Sequence, residues 1–120
     1  MSLPEQIRVG PHTITIVSDQ ADMNRRSVEG KHDLDGQFDH RKNEIAVHPG
    51  QHPDQQAETL LHEILHAVFG FTKLDDLSND EDVVNRLAPA LLDTLRRNPA
   101  LVMYLMGWSG DWAEDDGDED

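Results

Sequence analysis

The chain has 120 residues, with 24 acids against 10 bases, a formal net charge of −14 and no cysteine. That length supports one domain with one core, and the lack of thiols excludes disulfides and sulfur-ligated metals. The acidity argues against a nucleic-acid backbone as partner, since phosphate contact needs clustered Lys and Arg, and leaves room for a basic host or viral protein.

No stretch approaches the roughly 18 consecutive apolar residues of a membrane span. The opening MSLPEQIRVG lacks a basic region followed by an apolar one, so neither a signal peptide nor a membrane anchor is expected, and cytoplasmic residence is.

IRVGPHTITIVSD reads as strand, turn, strand. Gly10-Pro11 breaks the run, and His12 to Val17 alternates at period two. Residues 19 to 35 follow neither period and suggest a polar loop with one short helical turn near Ala21 to Arg25. GQFDHRKNEIAVHPG predicts a hairpin, with strands at Gln37-Phe38 and Glu44 to Val47 around a turn at Asp39 to Asn43.

A long helix is expected from Pro53 or Asp54 to about Phe69, with His52 or Asp54 as its cap and Gly70 closing it. Leu61, Leu65, Val68 and Phe69 cover one side of it, while Leu60 and Ile64 lie nearly opposite. A helix apolar on both sides is buried on both sides. Ser78 is a good N-cap for a further helix from Asn79 to about Arg97, and Pro89 should kink or interrupt it. Asn98-Pro99 begins a last short helix whose Leu101, Tyr104 and Leu105 can close the core. Residues 108 to 120 hold seven acids and no base. They read as a disordered, solubilising tail outside a domain spanning 1 to 107, with Trp108 packed on the core and Trp112 loosely held.

The chemistry concentrates in LLHEILHAVFG, residues 60 to 70. Residues i and i+4 lie one turn apart on one helix face, so His62 and His66 can aim both imidazoles at one ion. Glu63, turned by about 100 degrees from His62, stands where a carboxylate can take a proton from an activated water, the sense of H-E-x-x-H. Zinc suits imidazole and carboxylate donors with one position left open. The plain alternative is an ordinary core with two satisfied histidines. Yet two imidazoles and a carboxylate in the most apolar helix would be costly without a partner or an ion.

A third ligand is then needed. Among the acids downstream, Glu81 lies beside the apolar stripe of its helix, whereas Asp82 turns toward solvent with Arg86. Glu81 is the best candidate, but Ser78-x-x-Glu81 is also a capping box in which Glu81 reaches back to the Ser78 amide. Asp75 or Asp76, in the preceding loop, are the fallback ligands.

TLLHEILHAVFG followed by NDEDVVNRLAPALL resembles the zincin-like metallopeptidases of the ImmA/IrrE kind and their small phage-encoded relatives. The resemblance covers roughly residues 36 to 105. It implies an α+β zincin-like fold, with a small, mostly antiparallel sheet packed on a central HExxH helix and two or three further helices. It implies His62, His66 and Glu81 as zinc ligands, with Asn85 supporting a zinc histidine through its second nitrogen. It also implies that Glu44 to Val47 runs along the cleft where a peptide can pair.

The expected activity is zinc-dependent hydrolysis of a peptide or protein bond, with Glu63 as general base. An oxyanion donor is also needed. His48, His52, His40 and Tyr104 are possible, but none has a spacing argument behind it, and the favoured reading of each is a surface or core residue. The rival reading is a non-catalytic phage accessory protein, with a structural or vestigial metal site, that binds a host or viral protein.

Overall fold

The computed structural model describes residues 3 to 30 and 35 to 107. Trp108, Trp112 and the acidic tail lie outside the described residues. In chain order the elements are β1 (Gln6–Val9), β2 (His12–Val17), α1 (Gln20–Gly30), β3 (Gly36–Asp39), β4 (Glu44–Val47), α2 (Pro53–Phe71), α3 (Asp75–Ser78), α4 (Glu81–Arg97) and α5 (Pro99–Leu105). The class is α+β.

The four strands form one sheet in the order β1-β2-β4-β3. Both expected hairpins form, with Val9 opposite His12 in the first and Asp39 opposite Glu44 in the second. Gly10 takes a positive φ of 57°, which a two-residue hairpin loop favours at its first position. Asn43, at φ 50°, does the same at the end of the second turn, where Asn is tolerated. The two hairpins join through a parallel pairing of β2 with β4, so the sheet is mixed. This corrects one expectation. Glu44 to Val47 is an interior strand, paired on both sides, and the edge strands are β1 and β3.

Alternation sends Ile45, Val47, Ile14, Ile16 and Val9 into a buried cluster with Ala67, against which Leu60, Ile64 and Val68 of α2 pack. Leu65 and Phe69 are buried as well, so α2 is apolar on two sides for the reason its sequence suggests. The opposite face of the sheet is held by charge. Arg26 of α1 is buried and donates to Asp22 at 2.7 Å, to Gln37 on β3 and to Glu44 on β4. The Arg26 hydrogen bond holds the Asp22 carboxyl below its usual range. Residues 20 to 30 are therefore a helix, longer than the single turn expected. Among the described side chains of this polar helix, Met23 is the fully buried apolar one and Arg26 the buried charged one.

The first long helix runs past Gly70. Lys73 adopts a left-handed φ of 67°, its N–H bonds Gly70 O at 3.3 Å, and Leu74 N–H bonds Phe69 O at 2.7 Å. That pair of bonds is a Schellman closure with Lys73 where glycine is usual. That extension sets Phe71 against Gly10. A Cβ on Gly10 would lie 2.4 Å from the Phe71 ring.

Two units divide at Pro89, and each stands by itself: residues up to Pro89, and residues from Ala90 onward. The expected domain over 1 to 107 spans that division. α4 continues through Pro89 without an assigned break. In the second unit Asn98 precedes α5 and donates from its side chain to Thr94 O at 2.8 Å. Leu101, Tyr104 and Leu105 are 40%, 76% and 64% exposed, so they do not close a core as expected. α5 is too short, and too apolar around its whole circumference, to bury every side chain it carries. No helix among the described residues is long and apolar enough to cross a membrane.

Gly10→Ala should lower stability by about 1–3 kcal/mol, from the left-handed backbone and the displaced ring together. Chemical denaturation checks this. Adding Phe71→Ala should recover only the ring's share, so the two substitutions will not be additive.

Candidate metal centre

Helix α2 begins at His52, whose Nδ1 accepts the Asp54 N–H at 3.2 Å, with Pro53 pre-set for the first turn. One side of its middle turns presents His62 and His66, with ring centroids 5.0 Å apart. Helix α4 begins with Asp80 as its cap: Asp80 Oδ1 accepts the N–H groups of Asp82 and Val83 at 3.1 and 3.3 Å. Capping by Asp80 releases Glu81 from the capping box. Its carboxylate reaches instead to α2, with Oε1 3.2 Å from His62 Nε2 and Oε2 3.0 Å from His66 Nε2.

The ligand atoms of His62, His66 and Glu81 all lie within 4.8 Å of one another. Donors bound at 2.0–2.1 Å around a tetrahedral zinc stand about 3.3 Å apart, close to the two nitrogen–oxygen separations here. Two imidazole nitrogens and one carboxylate oxygen are also a donor set that zinc takes. The residues fit the ion. Asp75 lines the adjoining cavity, but neither it nor Asp76 belongs to the three-residue group.

Burial pushes the His62 pKa down, with Glu81 opposing the shift and His66 adding to it. Burial thus favours the uncharged imidazole of His62, which is the form that binds metals.

Glu63 is 8% exposed. Burial, and after it the Glu81 carboxylate, raise its pKa to about 7, against a lowering contribution from the Phe38 backbone. Such a carboxylate sits near the point where it can both take and return a proton. Gly36 makes this placement possible, because a Cβ there would lie 2.5 Å from Thr59 Cγ2 and 3.4 Å from Glu63 Cγ. The β3 edge thus approaches α2 directly beneath the carboxylate.

No family model, curated protein or solved structure matches the chain. The functional reading therefore rests on these side chains and the space around them.

Two cavities meet at Gly36, His62 and Glu63. The larger, of about 970 Å³, extends past Phe38, His40 and His66 to Val9, Ile14 and Phe71. The smaller, of about 220 Å³, includes Asp35, Glu58 and Asn85. Asn85 thus shares the smaller cavity with His62, and among the described residues it makes no hydrogen bond to either imidazole. That bond comes from Ser78, whose Oγ is 3.1 Å from His66 Nδ1.

Of the possible oxyanion donors only His40 lines the larger cavity, and His12, which the sequence did not single out, joins it. His48 is tied into the turn before α2, accepting the Gly50 N–H at 2.9 Å. His52 caps that helix, and Tyr104 belongs to the second unit.

Folding raises the Glu63 pKa from 4.5 to about 7. Its contribution to stability is therefore greatest below about pH 4.5 and is lost as pH rises through 7. Glu63→Gln should stabilise metal-free protein at pH 8 by up to about 3 kcal/mol. The gain should vanish near pH 4, as measured by denaturation at both values.

Proposed function

We propose that the chain is a zincin-like, zinc-dependent metallopeptidase, with His62, His66 and Glu81 as metal ligands and Glu63 as general base. The observation that carries this reading is the convergence of Glu81, from a separate helix, on the outward nitrogens of both histidines. A helix that merely happened to contain two histidines would have no reason to gather a third donor at ligand spacing.

A zinc ion held by these residues supplies Lewis-acid chemistry, activating water and polarising a carbonyl. Glu63, buried beside His62, takes a proton from the attacking water and delivers it to the departing amine. Burial excludes competing solvent from that carboxylate and keeps its proton affinity matched to neutral pH. His40 and His12 are the donors in the same cavity available to the developing oxyanion.

A peptide is the favoured substrate class because the edge strand β3 borders the cavity through Gly36, Gln37 and Phe38. An extended chain can add to such an edge by backbone hydrogen bonds, which would bring a peptide group toward Glu63.

His62→Ala and Glu81→Ala should each abolish tight zinc binding, read by calorimetric titration of metal-stripped protein. Glu63→Gln should keep zinc and reduce peptide-library cleavage at least about 100-fold, the lower range for losing an acid–base group. Retention of zinc with no cleavage by wild-type protein would favour the accessory-protein reading instead.

A further inference from the structure

The two nitrogens of His66 are both engaged. Nε2 faces Glu81 Oε2 at 3.0 Å and Nδ1 faces Ser78 Oγ at 3.1 Å. His62 differs, because among the described residues nothing bonds its Nδ1. One candidate ligand is held from behind and the other is free to adjust.

Ser78 is itself firmly placed. It ends α3, and its N–H bonds Leu74 O at 3.0 Å. Leu74 in turn completes the closure of α2 through its bond to Phe69 O. The hydroxyl is therefore carried back to His66 by a short path of hydrogen-bonded backbone. Three residues later the same segment delivers Glu81. Ser78-x-x-Glu81, which by spacing alone is a capping box, serves α2 with both of its side chains.

We propose that Ser78 is a positioning residue of the metal centre, whose hydroxyl holds the His66 ring and reverses its hydrogen bond when a cation binds. The inference rests on the metal-binding reading above.

The reversal follows from counting protons. A carboxylate only accepts, so a metal-free His66 ring that carries one proton carries it on Nε2, facing Glu81 Oε2 at 3.0 Å. Its Nδ1 is then bare and accepts the Ser78 O–H. When Nε2 gives its lone pair to a cation, the single ring proton must reside on Nδ1. Nε2 has lost a proton to solvent and Nδ1 has gained one, so the ring stays neutral. The Ser78 oxygen now accepts. A hydroxyl can play both parts because it carries one hydrogen and two lone pairs. A carboxylate in its place could serve only the metal-bound form, and an alanine neither. Ser78 therefore keeps the ring oriented before and after loading, so that binding costs no reorientation of that ligand.

The test uses metal-stripped full-length protein and zinc alone. Competition against a chromogenic chelator should show Ser78→Ala weakening zinc affinity by 10-fold or more, the usual loss when a ligand histidine's outer partner is removed. Ser78→Thr, which keeps the hydroxyl, should stay within about 3-fold of wild type by the same reasoning. Nitrogen-15 spectra of the His66 ring in wild-type protein should show the proton on Nε2 without zinc and on Nδ1 with it.

Equal zinc affinity in wild type and Ser78→Ala would overturn the role of Ser78 while leaving the metal centre standing. So would a wild-type ring proton that stays on one nitrogen, a readout that needs no variant to fold. Failure of wild-type protein to bind zinc would remove the metal centre and this inference together.

Discussion

A single carboxylate spanning two imidazoles organises this molecule. Glu81 touches His62 through one oxygen and His66 through the other. To do so, the start of α4 must lie across the middle turns of α2. Two histidines one turn apart share a face, but only a third group from elsewhere makes them converge on a point. The same carboxylate acts on the neighbouring acid, adding to the burial that lifts Glu63 to about 7. Positioning of ligands and tuning of the base thus share a cause. A cation among the three donors would relieve the repulsion between Glu63 and Glu81 as well as satisfy the nitrogens.

The backbone around this contact is shaped to permit it. Gly36 brings the edge of the sheet under Glu63, where any side chain would strike Thr59. At the other end of the larger cavity, the Gly10 turn accepts the face of Phe71. α2 ends at Phe71, one residue past Gly70, and closes at Lys73 in a left-handed conformation. A lysine there costs about 1 kcal/mol relative to glycine, and the Schellman bonds and the packed ring offset it. On the far face of the sheet, Arg26 ties α1 to β3 and β4 through Gln37 and Glu44. The second hairpin, which includes the strand that borders the cavity, is thereby braced.

Much of this was legible in the residues. Strict alternation and turn chemistry gave both hairpins, and the double-sided apolar pattern of residues 60 to 69 marked a buried helix carrying the histidine pair. Glu81 was separable from its neighbours by its angle relative to the apolar stripe. What escaped had physical reasons. α1 docks by a buried arginine and one methionine, so no apolar period announces it. α3 is a single turn, shorter than any periodic signal. Asp80 and Ser78 are both good caps, and local sequence does not say that Asp80 takes the cap and Ser78 turns to His66. The interior position of β4 depends on a parallel pairing between segments about 30 residues apart, which no local pattern encodes. Phe71 and His12 meet across the chain, ring centroids 6.2 Å apart, and nothing near either residue in sequence points to the other.

The central claim is that one cation is bound by two imidazole nitrogens and one carboxylate oxygen. X-ray absorption at the zinc edge of protein loaded with one equivalent tests it most directly. The account predicts a first shell of nitrogen and oxygen at about 2.0–2.1 Å, with outer-shell scattering from two imidazole rings. An oxygen-only shell without imidazole scattering would contradict it, as would a spectrum indistinguishable from zinc in buffer.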